Sequence, residues 1–286
     1  MARAIEIART VADLRARVAE WGRAGETVAL VPTMGALHAG HFSLVALAKK
    51  RSDRVVVSIF VNPAQFGPKE DFRAYPRDEP GDLDKLAGSG VDLVFSPDSA
   101  EMYPAGFSTT VTVADLTEDL CGARRPNHFD GVATVVAKLL MQCSPDMAIF
   151  GEKDYQQLLV IRRLVRDLNI PIDIAGAPIV REEDGLALSS RNAYLSPAER
   201  RIAPLLYSTI LQVAADLEGG RGCDDAAEAG RFKLEAAGFR VDYVAVRDPD
   251  TLKPLHGPTN RARVLGAVYL RKTRLIDNVP VPPSGN

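Results

Sequence analysis

The 286-residue sequence predicts an α/β fold in which a parallel sheet, with helices on both faces, precedes a smaller α+β domain. The first observation is that short apolar, β-branched runs alternate with amphipathic helical patterns over residues 1–180. The second is a change after that point. Residues 181–286 combine helical patterns with strands of alternating polarity, which are typical of antiparallel pairing. The two predicted domains are therefore 1–180 and 181–286.

The elements of the first domain follow from capping signals and periodicity. Thr10 caps a helix with Asp13 in its first turn, and Gly25 ends that helix. Nearly continuous apolar runs, suited to buried strands, occur at 27–33, 54–62, 91–97, 146–150 and 172–180. Further helices are predicted at 41–50, 80–87, 131–143 and 155–169. The last of them carries an apolar stripe on Leu158, Ile161, Leu164, Val165 and Leu168.

The second domain opens with a strong helix start. Ser196 is placed as the N-cap, Pro197 occupies the first helical position, and Glu199 completes a capping box. One long helix is predicted from there to residue 217. A second helix at 224–237, antiparallel strands at 239–248 and 262–270, and a disordered tail at 280–286 complete the domain.

The composition excludes several classes of protein. The chain has 35 Lys and Arg against 37 Asp and Glu, a formal net charge of −2 at pH 7, so it offers no basic face for nucleic acid. Its three cysteines lie far apart and form no CxxC pair, which argues against structural zinc. The sequence has neither a signal-peptide core nor an uncharged apolar run of about 18 residues. We therefore expect a soluble cytoplasmic protein that is not bound to a membrane.

The first candidate site is the segment VPTMGALHAGH, where a predicted strand turns into a helix. Gly40 leaves the helix N-terminus open, and unpaired N–H groups there favour a bound anion. His38 and His41 are three residues apart and can share one face of the helix. The residues alone leave three interpretations open: a phosphate site, a metal site that lacks a third ligand, or ordinary polar residues at a helix start.

Two more polar segments follow predicted strands. FVNPAQF carries the neutral amides Asn62 and Gln65, which suit hydroxyl and carboxylate groups, although Asn-Pro also marks a plain turn. FGEKDYQQ provides Lys153 as a point charge for phosphate, with Asp154 and Gln157 beside it. A polar helix start is the alternative for this second segment.

A fourth segment, DGLALSSRNAYL, lies at the predicted domain junction. Ser189, Ser190 and Arg191 can clamp phosphate oxygens, although a plain hinge loop is an alternative. All four segments follow predicted strands, and the carboxyl ends of parallel strands share one edge of a sheet. The sequence lacks both GxGxxG and GxxxxGK[ST], so neither the usual dinucleotide fold nor a P-loop is indicated.

Together the segments LVPTMGALHAGH, SIFVNPAQF, GEKDYQQ and LSSRNAYLS resemble the pantothenate synthetase (pantoate–β-alanine ligase) family over essentially the whole chain. HxGH alone belongs to a wide nucleotidyl-transferring superfamily, whereas the four segments in this order are specific. The resemblance implies a Rossmann-like first domain, a smaller C-terminal domain that acts as a lid, and a homodimer. It also implies ATP-dependent condensation of pantoate with β-alanine, with Mg²⁺, through an enzyme-bound pantoyl adenylate and with release of AMP and pyrophosphate.

The resemblance also assigns residues. The ATP-binding positions are Met34, Gly35, Ala36, Leu37, His38, Ala39, Gly40, His41, Gly151, Glu152, Lys153, Asp154, Val180, Leu188, Ser189, Ser190 and Arg191. Gln65 and Gln157 match the pantoate-binding positions, and Asn62 is a further candidate for substrate binding. His38 matches the position regarded as catalytic, and the other candidate catalytic donors are His41, Lys153, Ser189, Ser190 and Arg191.

The chemistry of the reaction agrees with this set of donors. The carboxylate of pantoate is already ionised at neutral pH, so its attack on ATP needs charge stabilisation and no general base. The amine of β-alanine must lose a proton, and no residue stands out as its base. Three positions depart from the family pattern: Leu188 replaces the usual Met, Ala39 a usual acidic residue, and Gly81 a frequent carboxylate. Asp82 remains as a weak candidate ligand for Mg²⁺.

Three alternative functions compete with this one. A nucleotidyltransferase that releases a nucleotidylated product shares HxGH but gives no reason for Gln65 and Gln157. A non-catalytic nucleotide-binding dimer would tolerate the loss of Lys153 or His41, and both are present. An NAD-dependent oxidoreductase is disfavoured because the glycine fingerprint is missing.

Overall fold

The computed structural model describes residues 5–68 and 70–281. The chain folds into two compact units. The first comprises the described residues of Met1–Glu152 together with Gln157–Pro178, and the second those of Lys153–Gln156 together with Ile179–Asn286. The turn after the fifth strand thus belongs to the second unit, although the chain on both sides of it belongs to the first.

The first unit is built on a parallel sheet, as the sequence predicts, but with six strands where the sequence indicates five. Its strands are β1 (Glu6–Ala8), β2 (Val28–Thr33), β3 (Arg54–Ile59), β4 (Leu93–Phe95), β5 (Met147–Gly151) and β6 (Asp173–Ala177). Their order is β1-β4-β3-β2-β5-β6. From β2 the chain continues through β3 to β4 on one side, and it then crosses to β5 and β6 on the other side of β2. Crevices at such a reversal of strand order bind ligands in open α/β sheets.

The described residues of this part of the chain form the helices α1 (Val11–Arg23), α2 (Ala39–Arg51), α3 (Glu79–Leu86), α4 (Ser99–Met102), α5 (Cys121–Arg124), α6 (His128–Cys143) and α7 (Tyr155–Asp167). Thr10 caps α1 as predicted, accepting the backbone N–H of Asp13. All four residues Val28–Val31 of β2 are buried, so both faces of this strand are covered. On one face Ala29 and Val31 pack with Leu44 of α2 in a shared apolar cluster.

Several details of the first unit differ from the sequence prediction. The short elements β1, α4 and α5 were not predicted, because three or four residues carry too little periodicity to be recognised. Leu168 was predicted on the buried stripe of α7, but it lies beyond the helix end and is 58% exposed. The other members of that stripe, from Leu158 to Val165, are buried as predicted.

The described residues of the second unit form an antiparallel sheet, ordered β7-β8-β9, and the helices that cover it. The strands are β7 (Arg240–Arg247), β8 (Ala262–Leu270) and β9 (Thr273–Val281), and the helices are α8 (Pro197–Ile202), α9 (Leu205–Glu218) and α10 (Cys223–Ala236). The core of this unit joins Leu206 and Ile210 of α9, Leu234 of α10 and Val264 of β8.

The capping box of Ser196 and Glu199 is present. The prediction of one long helix after it is wrong. Pro204 divides that helix into α8 and α9 because proline has no N–H to donate to the preceding turn. Strand β9 was not predicted, and it includes residues 280 and 281 of the tail predicted as disordered. The rest of that tail, 282–286, lies outside the described residues. Within the described part of the chain, no helix has both the length and the apolarity needed to cross a bilayer.

Candidate active site

The turn between β2 and α2 is left-handed at two successive residues. Gly35 and Ala36 have φ angles of 78° and 52°, a region that favours glycine and strains alanine. The hydroxyl of Thr33 accepts the backbone N–H of Gly35 at 3.2 Å and donates to the carbonyl of Ser58 on β3 at 2.7 Å. This turn therefore leaves the sheet edge in a fixed direction before α2 begins.

His38 and His41 cap the start of α2 reciprocally. The Nδ1 atom of His38 accepts the backbone N–H of Gly40 at 3.1 Å, and the Nδ1 atom of His41 accepts the backbone N–H of His38 at 3.2 Å. The two rings lie 4.1 Å apart between centroids and are tilted by 47°. The pattern is a capping box in which imidazole nitrogens replace the usual oxygens.

This arrangement fixes the tautomer of both rings. A neutral imidazole that accepts at Nδ1 carries its proton on Nε2, so each Nε2–H is a donor whose direction the helix start determines. The partial positive charge of a helix N-terminus acts at the same place. The start of α2 thus combines two oriented imidazole donors with a helix dipole, an arrangement suited to phosphate oxygens.

Asp82 anchors the turn that precedes these histidines. Its carboxylate is 1% exposed and accepts the backbone N–H groups of Ala36 at 2.7 Å and Leu37 at 2.8 Å. Lys85, one turn further along α3, contacts the Asp82 carboxylate at 3.5 Å and the Leu37 carbonyl at 3.2 Å. A side chain at Gly35 would place its Cβ 3.0 Å from the same carboxylate.

These contacts bear on the predicted magnesium ligand. Both oxygens of Asp82 are already engaged by the turn, which leaves this carboxylate poorly suited to a metal ion. Among the described residues, no three His, Cys, Asp or Glu side chains gather into a group able to hold a metal. The described residues therefore form no magnesium site made of protein side chains alone. Mg²⁺ in proteins is usually bound through one or two carboxylates together with substrate phosphates.

Asn62 and Gln65 lie close together at the end of β3, but in different environments. Asn62 is 1% exposed, and its amide nitrogen donates to Gln65 Oε1 at 3.1 Å and to the Gly131 carbonyl at 3.0 Å. Its Oδ1 accepts the hydroxyl of Tyr103 at 2.7 Å. Because Gln65 Oε1 accepts from Asn62, the amide nitrogen of Gln65 points the other way and donates to the sulfur of Met34 at 3.0 Å.

Residues in and just before helix α6 hold the backbone of Gln65 in place, and the sequence analysis did not identify them. The Cβ of any larger residue at Gly131 would lie 2.2 Å from the Ala64 carbonyl, so this glycine permits the close packing. His128 is buried, and its Nδ1 donates to the backbone carbonyl of Gln65 at 2.8 Å while its Nε2 accepts from Arg125 at 2.8 Å. Arg125 also forms a two-pronged pair with Glu70, at 2.6 and 2.7 Å. No motif marked these residues, because their partners are up to 63 positions away in the chain.

The sheet brings several predicted residues of the first unit to one edge. Strands β3, β2 and β5 are parallel neighbours, so the residues after each of them leave the sheet at its carboxyl end. Met34 follows β2, Gln65 follows β3 and Gly151 is the last residue of β5. Met34 and Gln65 are in direct contact. Leu37 is buried, so its side chain belongs to the core and only its backbone faces the turn. Gln157 lies half-buried in the first turn of α7.

In the second unit two of the predicted ATP-binding segments pair with each other. The backbone N–H of Leu188 donates to the Val180 carbonyl at 3.0 Å, and Arg181 bridges Ala187 in antiparallel fashion. Ser189 caps a short 3₁₀ helix, Ser190–Tyr194, by accepting the backbone N–H of Arg191 at 3.3 Å. Lys153 also belongs to this unit, and its Nζ lies 3.7 Å from the Asp154 carboxylate.

A sequence model of the family described as pantoate-beta-alanine ligase matches residues 6–280. The chain belongs to this family. Pantothenate synthetase of Rhodospirillum rubrum is 59% identical over 281 residues, which is 98% of this chain and 100% of that protein. The enzyme of the same name from Paramagnetospirillum magneticum is 55% identical over 99% of this chain and 100% of its own length.

Solved pantothenate synthetases have the same fold. The Thermus thermophilus enzyme is 50% identical, with a TM-score of 0.92 over 97% of this chain and 99% of that one. The pantoate–β-alanine ligase of Francisella tularensis, solved with beta-gamma ATP and β-alanine, is 35% identical, with a TM-score of 0.84 over 98% and 99% of the two chains. The protein is therefore an ATP-using ligase of pantothenate biosynthesis, with the α/β fold that the sequence predicts.

Proposed function

We propose that this chain condenses pantoate with β-alanine in two steps, through an enzyme-bound pantoyl adenylate. The carboxylate of pantoate attacks the α-phosphate of ATP and pyrophosphate leaves. The amine of β-alanine then attacks the acyl carbon, and pantothenate and AMP are released. The observation that carries this proposal is the reciprocal capping of His38 and His41, which orients two Nε2–H donors at the start of α2. The family match over residues 6–280 supports it.

In the first step the protein must stabilise negative charge as it moves onto the leaving pyrophosphate. Preorganised N–H donors perform this task best because they need no reorganisation when the charge develops. We assign His38, His41, Lys153, Ser189, Ser190 and Arg191 to the phosphates. The remaining ATP contacts are those predicted above, from Met34 to Gly40, from Gly151 to Asp154, and at Val180 and Leu188.

Pantoate is assigned to the amides of Gln65 and Gln157. The orientation of Gln65 supports this role, because its nitrogen is directed away from Asn62 and is able to donate to a hydroxyl or carboxylate oxygen. Asn62 is reassigned from substrate contact to positioning, since its amide is buried and already bonded on both sides.

Three further properties belong to the proposal. Mg²⁺ enters with ATP and is held by phosphate oxygens, because Asp82 is engaged by the turn. The enzyme works in the cytoplasm as a homodimer, with 1–180 as its nucleotide-binding domain and 181–286 as its lid domain.

Pyrophosphate exchange tests the two-step reaction. If adenylation comes first, pantoate alone should drive labelled pyrophosphate into ATP when β-alanine is absent. The Gln157→Ala variant should exchange more slowly at fixed pantoate and recover partly at high pantoate, since a lost hydrogen bond costs about 1–3 kcal/mol. Exchange that requires β-alanine contradicts the two-step reaction. Release of free pantoyl adenylate as the end product would indicate a nucleotidyltransferase instead.

A further inference from the structure

Strand β9 reaches the predicted phosphate-binding lysine through a buried amide. Asn278 lies on β9 and is 2% exposed, and its Nδ2 donates to the backbone carbonyl of Lys153 at 3.0 Å. The Oδ1 of the same amide accepts from Nε of Arg263 on β8 at 2.7 Å. Asn278 therefore connects the antiparallel sheet to the turn that carries Lys153.

Arg263 supports the same turn at a second point. The strands pair Leu265 with Asn278 and Arg263 with Pro280, so Arg263 and Asn278 are diagonal neighbours on one face of the sheet. The guanidinium of Arg263 lies 4.0 Å from the ring centroid of Tyr155, two residues after Lys153. The hydroxyl of Tyr155 in turn donates to the Pro249 carbonyl at 3.0 Å. The turn is thus held by its backbone at Lys153 and by a stacked ring at Tyr155.

The residue next to Asn278 adds a charged contact to this arrangement. Asp277 is also buried; it pairs with Arg181 at 2.6 and 2.9 Å and accepts the backbone N–H of Asn278 at 2.7 Å. Burial raises the pKa of the Asp277 carboxyl, while the charges of Arg181 and Lys153 oppose that rise. These bonds fix the backbone of β9 where the Asn278 side chain leaves it.

We infer that Asn278 and Arg263 are positioning residues that set the location of Lys153 for the adenylation step. The inference rests on the proposed function, which assigns Lys153 to the phosphates of ATP. Its physical basis is that a misplacement of about 1 Å can cost on the order of 100-fold in rate when a charge must meet a developing one. Lys153 is placed against the β- and γ-phosphates, which leave as pyrophosphate, so the second step, in which AMP leaves, does not depend on this placement.

The test uses Asn278→Ala and Asn278→Asp in the full-length enzyme, with each half-reaction measured separately. The Asp variant keeps the acceptor for Arg263, removes the donor to Lys153 and adds a negative charge that Arg263 can pair, so it serves if the Ala variant does not fold. We expect pyrophosphate exchange to fall at least ~10-fold in both, while β-alanine consumes supplied pantoyl adenylate within about twofold of the wild-type rate. Val279→Ala is the matched control, because it removes buried volume from the same strand without a hydrogen bond to Lys153.

A double-variant cycle completes the test. If Asn278 acts through Lys153, then Asn278→Ala should change exchange by less than about twofold in the Lys153→Ala background. The positioning role would be overturned if the fold-losses of exchange in the two single variants multiply in the double variant. It would also be overturned if Asn278→Ala slows both half-reactions equally. Failure of the proposed function is distinguishable, because the wild-type enzyme would then show no pantoate-dependent exchange.

Discussion

The Oδ1 atom of Asp82 lies 2.8 Å from the backbone nitrogen of Leu37, one residue before His38. The other carboxylate oxygen accepts the N–H of Ala36, the residue in the strained left-handed conformation. One buried side chain on α3 thus satisfies two successive donors of the turn that leads into α2. This relationship explains how a non-glycine residue is held at a φ of 52°.

Asp82→Ala should therefore loosen the turn and misdirect both histidines. Removal of the carboxylate leaves two partly buried N–H groups without their acceptor, which we expect to lower the free energy of unfolding by about 3 kcal/mol. The rate of pyrophosphate exchange should fall at least ~10-fold because the donors at the start of α2 move. Urea unfolding and exchange kinetics measure the two effects.

Two controls separate the anchor from a metal ligand. Asp84→Ala removes an exposed carboxylate from the same helix and should leave both quantities nearly unchanged. If Asp82 instead binds Mg²⁺, a large excess of Mg²⁺ should restore the activity of Asp82→Asn. We expect no such recovery.

His41→Ala should fold but lose most of its adenylation activity. The substitution removes one preorganised donor, which is expected to cost about 3 kcal/mol of transition-state stabilisation, on the order of 100-fold in rate. It also removes the acceptor for the His38 N–H, so a further loss of about 1 kcal/mol in stability is expected. Single-turnover kinetics on the folded variant measure the first effect, and a rate within twofold of wild type would disprove the phosphate role.

Much of the fold was predictable because its signals are local. The strand runs, the Thr10 cap and the Ser196–Glu199 capping box depend on residues within one turn of each other. The strand predicted at 27–33 and the helix predicted after it also placed His38 and His41 correctly at the start of a helix. The reciprocal bonding of the two rings follows from their spacing, but their tautomers required the three-dimensional structure.

The residues that sequence analysis missed depend on distant partners. Strand β9 contains Asp277, Asn278 and Pro280, which normally favour turns, and it is a strand because β8 pairs with it along its whole length. As an edge strand it also tolerates Pro280. The sequence indicates Asp82 only as a candidate ligand for Mg²⁺. Its partners lie 45 and 46 positions away, so its function as an anchor of the turn could not be predicted.

Tyr103→Phe should weaken pantoate binding through Asn62. Burial raises the pKa of Tyr103 to about 12, so its hydroxyl remains protonated and donates to Asn62 Oδ1. Without this bond the Asn62 amide is less firmly oriented, and Gln65 loses part of its support. We expect a stability loss of about 1 kcal/mol and a severalfold rise in KM for pantoate with a smaller change in kcat.

Asn62→Ala provides the stronger form of the same experiment. It leaves the Gly131 carbonyl and Gln65 Oε1 without their donor, so KM for pantoate should rise further than in Tyr103→Phe. Steady-state kinetics at saturating ATP give both values. An Asn62→Ala enzyme with wild-type pantoate KM would show that Gln65 does not need this support.

The final prediction concerns the pH dependence of stability at Glu70. Burial opposes ionisation of this side chain, but the hydrogen bonds and charge of Arg125, with help from the Gly67 N–H, outweigh it. The pKa of Glu70 therefore lies below its ordinary value of 4.5. A group whose pKa is lowered by folding stabilises the protein above its unfolded pKa, and that contribution is lost as the pH falls through the folded value.

Glu70→Gln should accordingly reduce the free energy of unfolding by about 2 kcal/mol at pH 7, where the wild-type carboxylate is charged and paired with Arg125. The difference between the two proteins should stay constant down to the ordinary Glu value and then shrink as wild-type Glu70 is protonated. Urea titrations at several pH values between 3 and 7 measure this difference. Glu218→Gln, at an exposed position on α9, is the matched control and should show no such convergence. A wild-type advantage that does not shrink as the pH falls below the ordinary Glu value would mean that the pairing of Glu70 with Arg125 is not the source of the stability.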